Sequence, residues 1–267
     1  MSENVARAAR EIRKDVLRMH RRGSNVGSAL SAVDILAALY FDAMNIPAPD
    51  DPRRDRFILS KGHAAAALYA TLAQRGFLDH ASLAGFLGDG TPLAGHPAEG
   101  AVPGVEVSTG SLGHGLPIAV GLALAAKRDG RSHRVFVLMG CGEMQEGSVW
   151  EGVIQAARLG LDNLVAVVDA NALQGYGRTA EIQPVETFAP RLEAFGWSVR
   201  EVGGHDVRAL GGALRGVPFA PGKPSAVVAR TVMGKGVAEM EDRLEWHYRN
   251  VAEGQLQGFL GEVDGAS

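Results

Sequence analysis

A single cysteine, Cys141, stands in the 267 residues, so no disulfide can form within the chain, and a reducing, cytoplasmic setting is expected. No run of about 18 uninterrupted apolar residues occurs, so no membrane span is expected. The first residues, MSENVARAAREIRKDVLRMHRR, have no apolar h-region and do not read as a secretory signal. Neither charge sign dominates: the formal net charge is −3, which gives no reason to expect nucleic acid or an anionic membrane as partner. Internal repeats, low-complexity tracts and convincing linkers are also missing. The expectation is one domain over residues 1–267.

What the chain has instead is glycine, 35 residues of it, much of it clustered between periodic segments. The periodicity predicts helices over 3–22, 32–43, 64–75, 116–128, 148–159, 187–195 and 206–215, with a further helical stretch at the C-terminus. Ser31 with Asp34 resembles a capping box opening the second of these. Strands are expected at 56–59, 134–139, 164–169, 197–202 and 225–231, and a long functional loop over 88–104. The strands alternate with helices and are continuous apolar runs, which predicts an α/β fold: a parallel sheet with helices on both faces.

In such sheets ligands bind beyond the carboxyl ends of the strands. Four glycine-rich turns would converge there: SKGH (60–63), STGSLGHG (108–115), GCGEMQEG (140–147) and GKG (234–236). Their backbone N–H groups, with helix N-termini behind them, suit a phosphate. A nicotinamide dinucleotide does not fit. The pattern from Gly140 ends in Gln145 where a third glycine is needed, and no ribose-binding acid follows at about 20 residues. A Walker loop fails too, because GKG has neither the preceding spaced glycine nor a following Ser or Thr. Thirty residues separate Cys141 from Asn171, enough for turn, helix, strand and turn, so the two turns lie side by side. With Asp in place of Cys141 this spacing would be the thiamine diphosphate motif.

The stretches DRFILSKGHAAAALYATLAQRGF, LAGHP, PGVEVSTGSLGHGL, GEMQEGSVWEG, LDNLVAVVDAN and MGKGVAEME, followed by EWH, cover nearly the whole chain in one order. In them the chain resembles the N-terminal, diphosphate-binding subunit of a split transketolase. The resemblance implies the thiamin diphosphate-binding fold and a ketol- or acyl-transferring enzyme with thiamine diphosphate and Mg²⁺. It also implies a pyrimidine-binding, C-terminal transketolase-type partner subunit in an α2β2 assembly, and a ketose/aldose or keto-acid substrate. By the same resemblance Gly140, Gly142 and Glu143 would lie at the cofactor diphosphate, and Gly110 and Leu112 would line the cofactor. Asn171 would ligate the metal, and Leu173 would offer it a backbone carbonyl. His63, His96 and His247 would face thiamine or the reacting carbons, and Glu146 would sit in a carboxylate network between subunits. Taken alone, His63 could cap the next helix, His96 could be a solvated loop residue, and Glu146 could favour a helix dipole. The remaining histidines, 20, 80, 133 and 205, read as surface residues.

Three positions depart from the family pattern. Cys141 replaces the metal-ligating Asp, and Mg²⁺ prefers hard oxygen ligands. Asn25 stands for a substrate-contacting histidine, and His114 for a glutamine. Three outcomes stay open for Cys141: Mg²⁺ held by the remaining ligands, a softer divalent cation, or no cofactor. The last would leave a non-catalytic scaffold or regulatory subunit.

Overall fold

The computed structural model describes residues 2–265. Helix α1 (Ser2–Met19) leads to α2 (Val26–Ala38), which ends in a π-helical turn, Leu39–Ala43. Strand β1 (Arg56–Leu59), α3 (Ala65–Gln74) and α4 (Gly115–Arg128) follow, then β2 (Val135–Gly140), α5 (Gly147–Arg158) and β3 (Leu164–Ala170). A small hairpin, β4 (Leu173–Gln174) and β5 (Gly177–Arg178), precedes α6 (Phe188–Ala194), β6 (Ser198–Gly203), α7 (Val207–Arg215), β7 (Ser225–Arg230) and α8 (Glu253–Gly265).

Five strands form one parallel sheet in the order β1-β2-β3-β7-β6. Alternate residues of the apolar strands feed two cores. Phe57, Phe136, Leu138, Val165, Val167 and Val227 pack with α1, α2 and α3 on one face. Ile58, Val137, Met139, Ala166, Val168 and Val228 pack with α4, α5 and α6 on the other. The expected α/β sheet with helices on both faces is what forms, and burial on both faces explains why β2 and β3 have no polar alternation. Edge strand β6 carries the exposed charges Arg200 and Glu201, which discourage further strand pairing.

One boundary differs in a way that matters. Helix α2 starts at Val26, six residues before the expected 32, so Ser31 and Asp34 lie inside it and form no capping box. Ser31 Oγ reaches Asp169, and Asp34 bonds Arg13 at 2.8 Å and His205 at 2.7 Å. The stretch Val26–Ala43 is long and apolar enough to cross a membrane by composition, yet 89% of it is buried within the structure, packed against α1, α3 and α7. It is the central core helix of that face.

Two of the histidines read as surface residues are not. His205 is mostly buried against Asp34 and Val232. His20 is 1% exposed, with Nδ1 2.8 Å from the Val16 carbonyl and its ring 5.7 Å from Phe86. Burial lowers its pKa from 6.5 to about 4. A neutral buried imidazole supports the fold fully above pH 6.5, and that support is lost as pH falls towards 4, because the unfolded chain takes up the proton first. The difference amounts to about 3 kcal/mol. Denaturant titrations of His20→Gln from pH 7 to pH 4 are expected to show a flatter acid limb than wild type. Parallel limbs would contradict this account.

Candidate active site

The carboxyl ends of β1, β2, β3 and β7 deliver four loops to one edge of the sheet, around a cavity of about 500 Å³. The loops after β1 and β2 and the STGSLGHG turn are tied together by one carboxylate. Glu143, 1% exposed, accepts from Ser60 Oγ, from Gly113 N at 2.9 Å and from Gly140 N at 3.2 Å. Burial raises its pKa, and these bonds act against that rise. Glu143 thus lines the cavity while its charge is spent on cross-linking the turns. Gly113 has φ +83°, and a Cβ there would overlap Ser148 Oγ and come within 2.7 Å of Glu146 Cβ. Only glycine lets the STGSLGHG turn approach α5 this closely.

Below the cavity floor lies a closed polar network. Asp169, fully buried, receives Lys61 Nζ and Ser31 Oγ on one oxygen and Thr231 Oγ1 on the other. Lys61, 1% exposed, also donates to the Ser28 carbonyl at 3.0 Å. Asn171 Nδ2 donates to Ser31 Oγ at 3.2 Å, and Asn171 Oδ1 accepts from Leu173 N at 3.1 Å. The Cys141 thiol is 2% exposed and reaches the Asp169 carbonyl at 3.3 Å and Asn171 Oδ1 at 3.7 Å. Burial, reinforced by the Asp169 charge, pushes this thiol up to about 12, so it is neutral and donating.

Two imidazoles also line the cavity. His63 Nε2 is 2.9 Å from Ser28 Oγ, and its ring stacks on His247 at 5.8 Å. Burial first, then the Lys61 charge, holds His63 well below 6.5, and burial also lowers His247. Both are neutral at pH 7. His247 Nδ1 and Gln145 Nε2, buried at the cavity, have no hydrogen-bond partner among the described residues.

Of the residues singled out from the sequence, the cavity brings together Asn25, His63, Gly110, Leu112, Gly140, Cys141, Gly142, Glu143, Glu146, Asn171, Leu173 and His247. His96 does not line it. It lies on an exposed loop, with its ring packed over Gly110, where a Cβ would come within 3.1 Å. Asn25 opens α2 in a left-handed conformation, φ 73°, with no side-chain cap, and its amide is free apart from Ser24 Oγ at 3.1 Å. Glu146 precedes α5 and is exposed without a side-chain capping bond. Sequence reasoning missed Ser28, Lys61, Gln174, Tyr176 and Tyr248. Lys61 lies inside the SKGH turn, so its nearness to the site could be read from the sequence but not its buried partners. Tyr176, 94% exposed on the hairpin, gave no periodic signal.

The arrangement suits a diphosphate. Gly110, Gly140 and Gly142 line the cavity with backbone rather than side chain, and His247 Nδ1 and Gln145 Nε2 are left without partners among the described residues. For a divalent cation the chain offers Asn171 Oδ1 and the Leu173 carbonyl, both oxygens, beside a neutral thiol. Among the described residues no group of three or more His, Cys, Asp or Glu is placed to hold a metal ion.

Residues 1–257 match the family described as "Transketolase, thiamine diphosphate binding domain". The chain is 42% identical to one of the subunits of the apulose-4-phosphate transketolase of Phocaeicola vulgatus, over 91% of this chain and 86% of that one. It is 38% identical to a 6-deoxy-6-sulfo-D-fructose transketolase subunit of a Clostridium species, over 90% and 88%. The solved transketolase of Leishmania mexicana superposes with a TM-score of 0.89 at 30% identity, over 99% of this chain and 41% of that one. The chain therefore spans about four tenths of the length of that transketolase chain.

Proposed function

We propose, from the premise that the chain belongs to the family of transketolase thiamine diphosphate-binding domains, that it is the cofactor-holding subunit of a split, transketolase-type transferase moving a two-carbon ketol unit. The observation that carries this reading is the meeting of Gly110, Gly142, Asn171, Leu173, His63 and His247 around one cavity at the carboxyl edge of the sheet. Its partner would be a pyrimidine-binding subunit, in an α2β2 assembly closed by symmetry, working in the cytoplasm. The single domain would then contribute one wall of each active site.

When bound, thiamine diphosphate supplies the carbanion chemistry of ketol transfer. This chain's residues would hold and steer. Gly142 and Gly110 would leave room for the diphosphate, and Asn171 Oδ1 with the Leu173 carbonyl would hold Mg²⁺, which commonly keeps several waters and few protein ligands. Cys141 would stay outside the coordination shell as a neutral donor. His63 and His247, neutral at pH 7, are able to accept a proton from a sugar hydroxyl and return it, with Ser28 Oγ fixing the His63 ring. Asn25, unlike an imidazole, would orient a hydroxyl without taking its proton. No arginine lines the cavity among the described residues, so recognition of an anionic sugar tail would fall to the partner. The substrate class we favour is an anionic ketose, by analogy with the phosphorylated and sulfonated sugars in the relatives' names.

Calorimetric titration of thiamine diphosphate into the reconstituted pair, with Mg²⁺ and then with EDTA, tests the reading. Mg²⁺-dependent binding, together with ketol transfer between sugar phosphates, is expected. Absence of binding in both conditions would overturn it in favour of a scaffold role.

A further inference from the structure

The buried network beneath the cavity has a proton count that fixes one side chain. Ser31, at 0% exposure on α2, has a single hydroxyl proton. Two of its neighbours can only accept it, the Asp169 carboxylate at 2.6 Å and the Ser28 carbonyl at 3.0 Å. Whichever receives the proton, the Ser31 oxygen is left as an acceptor. Its remaining neighbour, the Asn171 side chain at 3.2 Å, must therefore present its NH₂ to Ser31. An amide has one nitrogen end and one oxygen end, so this contact turns Asn171 Oδ1 towards the Cys141 thiol and the Leu173 N–H. Both of those neighbours are donors. Lys61 and Thr231 hold Asp169 in place behind Ser31.

We propose that Ser31 is a positioning residue. Through a relay from Lys61 to Asp169 to Ser31 to Asn171, it sets the Asn171 amide with its oxygen, not its nitrogen, at the metal-facing end. The metal role of Asn171 rests on the function proposed above; the amide orientation does not. The Ser31 link comes from α2, an element that sequence alone gives no part in the site, and it fixes the amide oxygen that remains where position 141 carries no carboxylate. A side-chain amide can offer its oxygen to a hard cation only if it does not flip.

Two measurements separate the two claims. In the free protein, the ¹⁵N side-chain NH₂ signals of Asn171, identified by their absence in Asn171→Asp, are expected to exchange slowly in wild type and in Ser31→Thr. In Ser31→Ala they are expected to exchange quickly. An Asn171 NH₂ that exchanges at the solvent rate in wild type would overturn the orientation, whatever the metal does. In the reconstituted pair with thiamine diphosphate, Mn²⁺ affinity read by electron paramagnetic resonance is expected to weaken about 10- to 100-fold in Ser31→Ala, as for other residues that orient a ligand. It is expected to return towards wild type in Ser31→Thr. Tight Mn²⁺ binding unchanged in Ser31→Ala would refute the positioning role. Failure of wild type to bind Mn²⁺ would instead sink the metal reading and leave the amide result to decide the orientation.

Discussion

Replacing Lys61 by methionine is expected to destabilise the chain by about 3–5 kcal/mol, because it strands a buried carboxylate. Lys61 and Asp169 are 1% and 0% exposed, so neither charge has water to fall back on. Without the ammonium, Asp169 keeps only the hydroxyls of Ser31 and Thr231, and the Ser28 carbonyl loses its donor at 3.0 Å. Methionine fills a similar volume, which leaves lost charge rather than a cavity as the main cause. The pH dependence identifies the mechanism. An unpaired buried carboxylate is pushed above its usual range, so the fold then prefers the protonated acid, and the defect should shrink as pH falls and grow as it rises. A second change, Asp169→Asn, removes the stranded charge and should restore part of the loss at pH 7. Urea titrations of wild type and the two variants at pH 5 and pH 8 check this. A Lys61→Met defect equal at both pH values, with no recovery in the double variant, would mean that packing rather than charge is at stake.

The sheet was legible in the sequence because β2 and β3 are buried on both faces and leave uninterrupted apolar runs. The turns were legible because their glycines serve positions that no other residue can fill, as at Gly113. The relay under the cavity was not. Ser31, Lys61 and Asp169 lie on three elements separated by up to 138 residues, and each looks locally ordinary: a serine near a helix start, a lysine in a turn, an acid ending a strand. Periodicity carries no information about such contacts. The true start of α2 is hidden for the same reason. Asn25 enters the helix with φ 73° and no side-chain cap, so no local signal marks the boundary, while the Ser31–Asp34 spacing offers a false one. His20 reads as a surface residue because its neighbours in sequence, Arg21 and Arg22, are exposed; the helix turns it inward against Phe86.

Cys141→Asp should give the opposite pattern from a simple loss: a weaker fold without metal and a tighter grip with it. The Cys141 sulfur lies 3.3 Å from one carbonyl oxygen and 3.7 Å from the Asn171 amide oxygen, and its proton serves both. A carboxylate there, at 2% exposure, would set its charge against those two acceptor oxygens, a cost on the order of a few kcal/mol that the Asn171 and Ala172 backbone N–H groups offset in part, unless the acid is protonated or a cation intervenes. Lys61 nearby offsets part of this. In EDTA the variant should therefore melt below wild type. With Mg²⁺ and thiamine diphosphate, the same oxygens that repel one another become a hard-oxygen ligand set, and Mg²⁺ should bind at least about tenfold more tightly, or about 1.4 kcal/mol. Because a ligand that binds only the native state raises stability with its concentration, the melting temperature of the variant should climb more steeply with Mg²⁺ than that of wild type and cross it. Thermal melts across a Mg²⁺ series, with calorimetry at fixed thiamine diphosphate, measure both halves. If Mg²⁺ affinity is unchanged while the EDTA melt is lowered, the cation does not sit between positions 141 and 171. The outcome expected here gives the thiol a physical meaning: its proton satisfies the Asp169 carbonyl and the Asn171 amide oxygen from within, so the wild-type fold does not depend on a cation, which it binds more weakly in return.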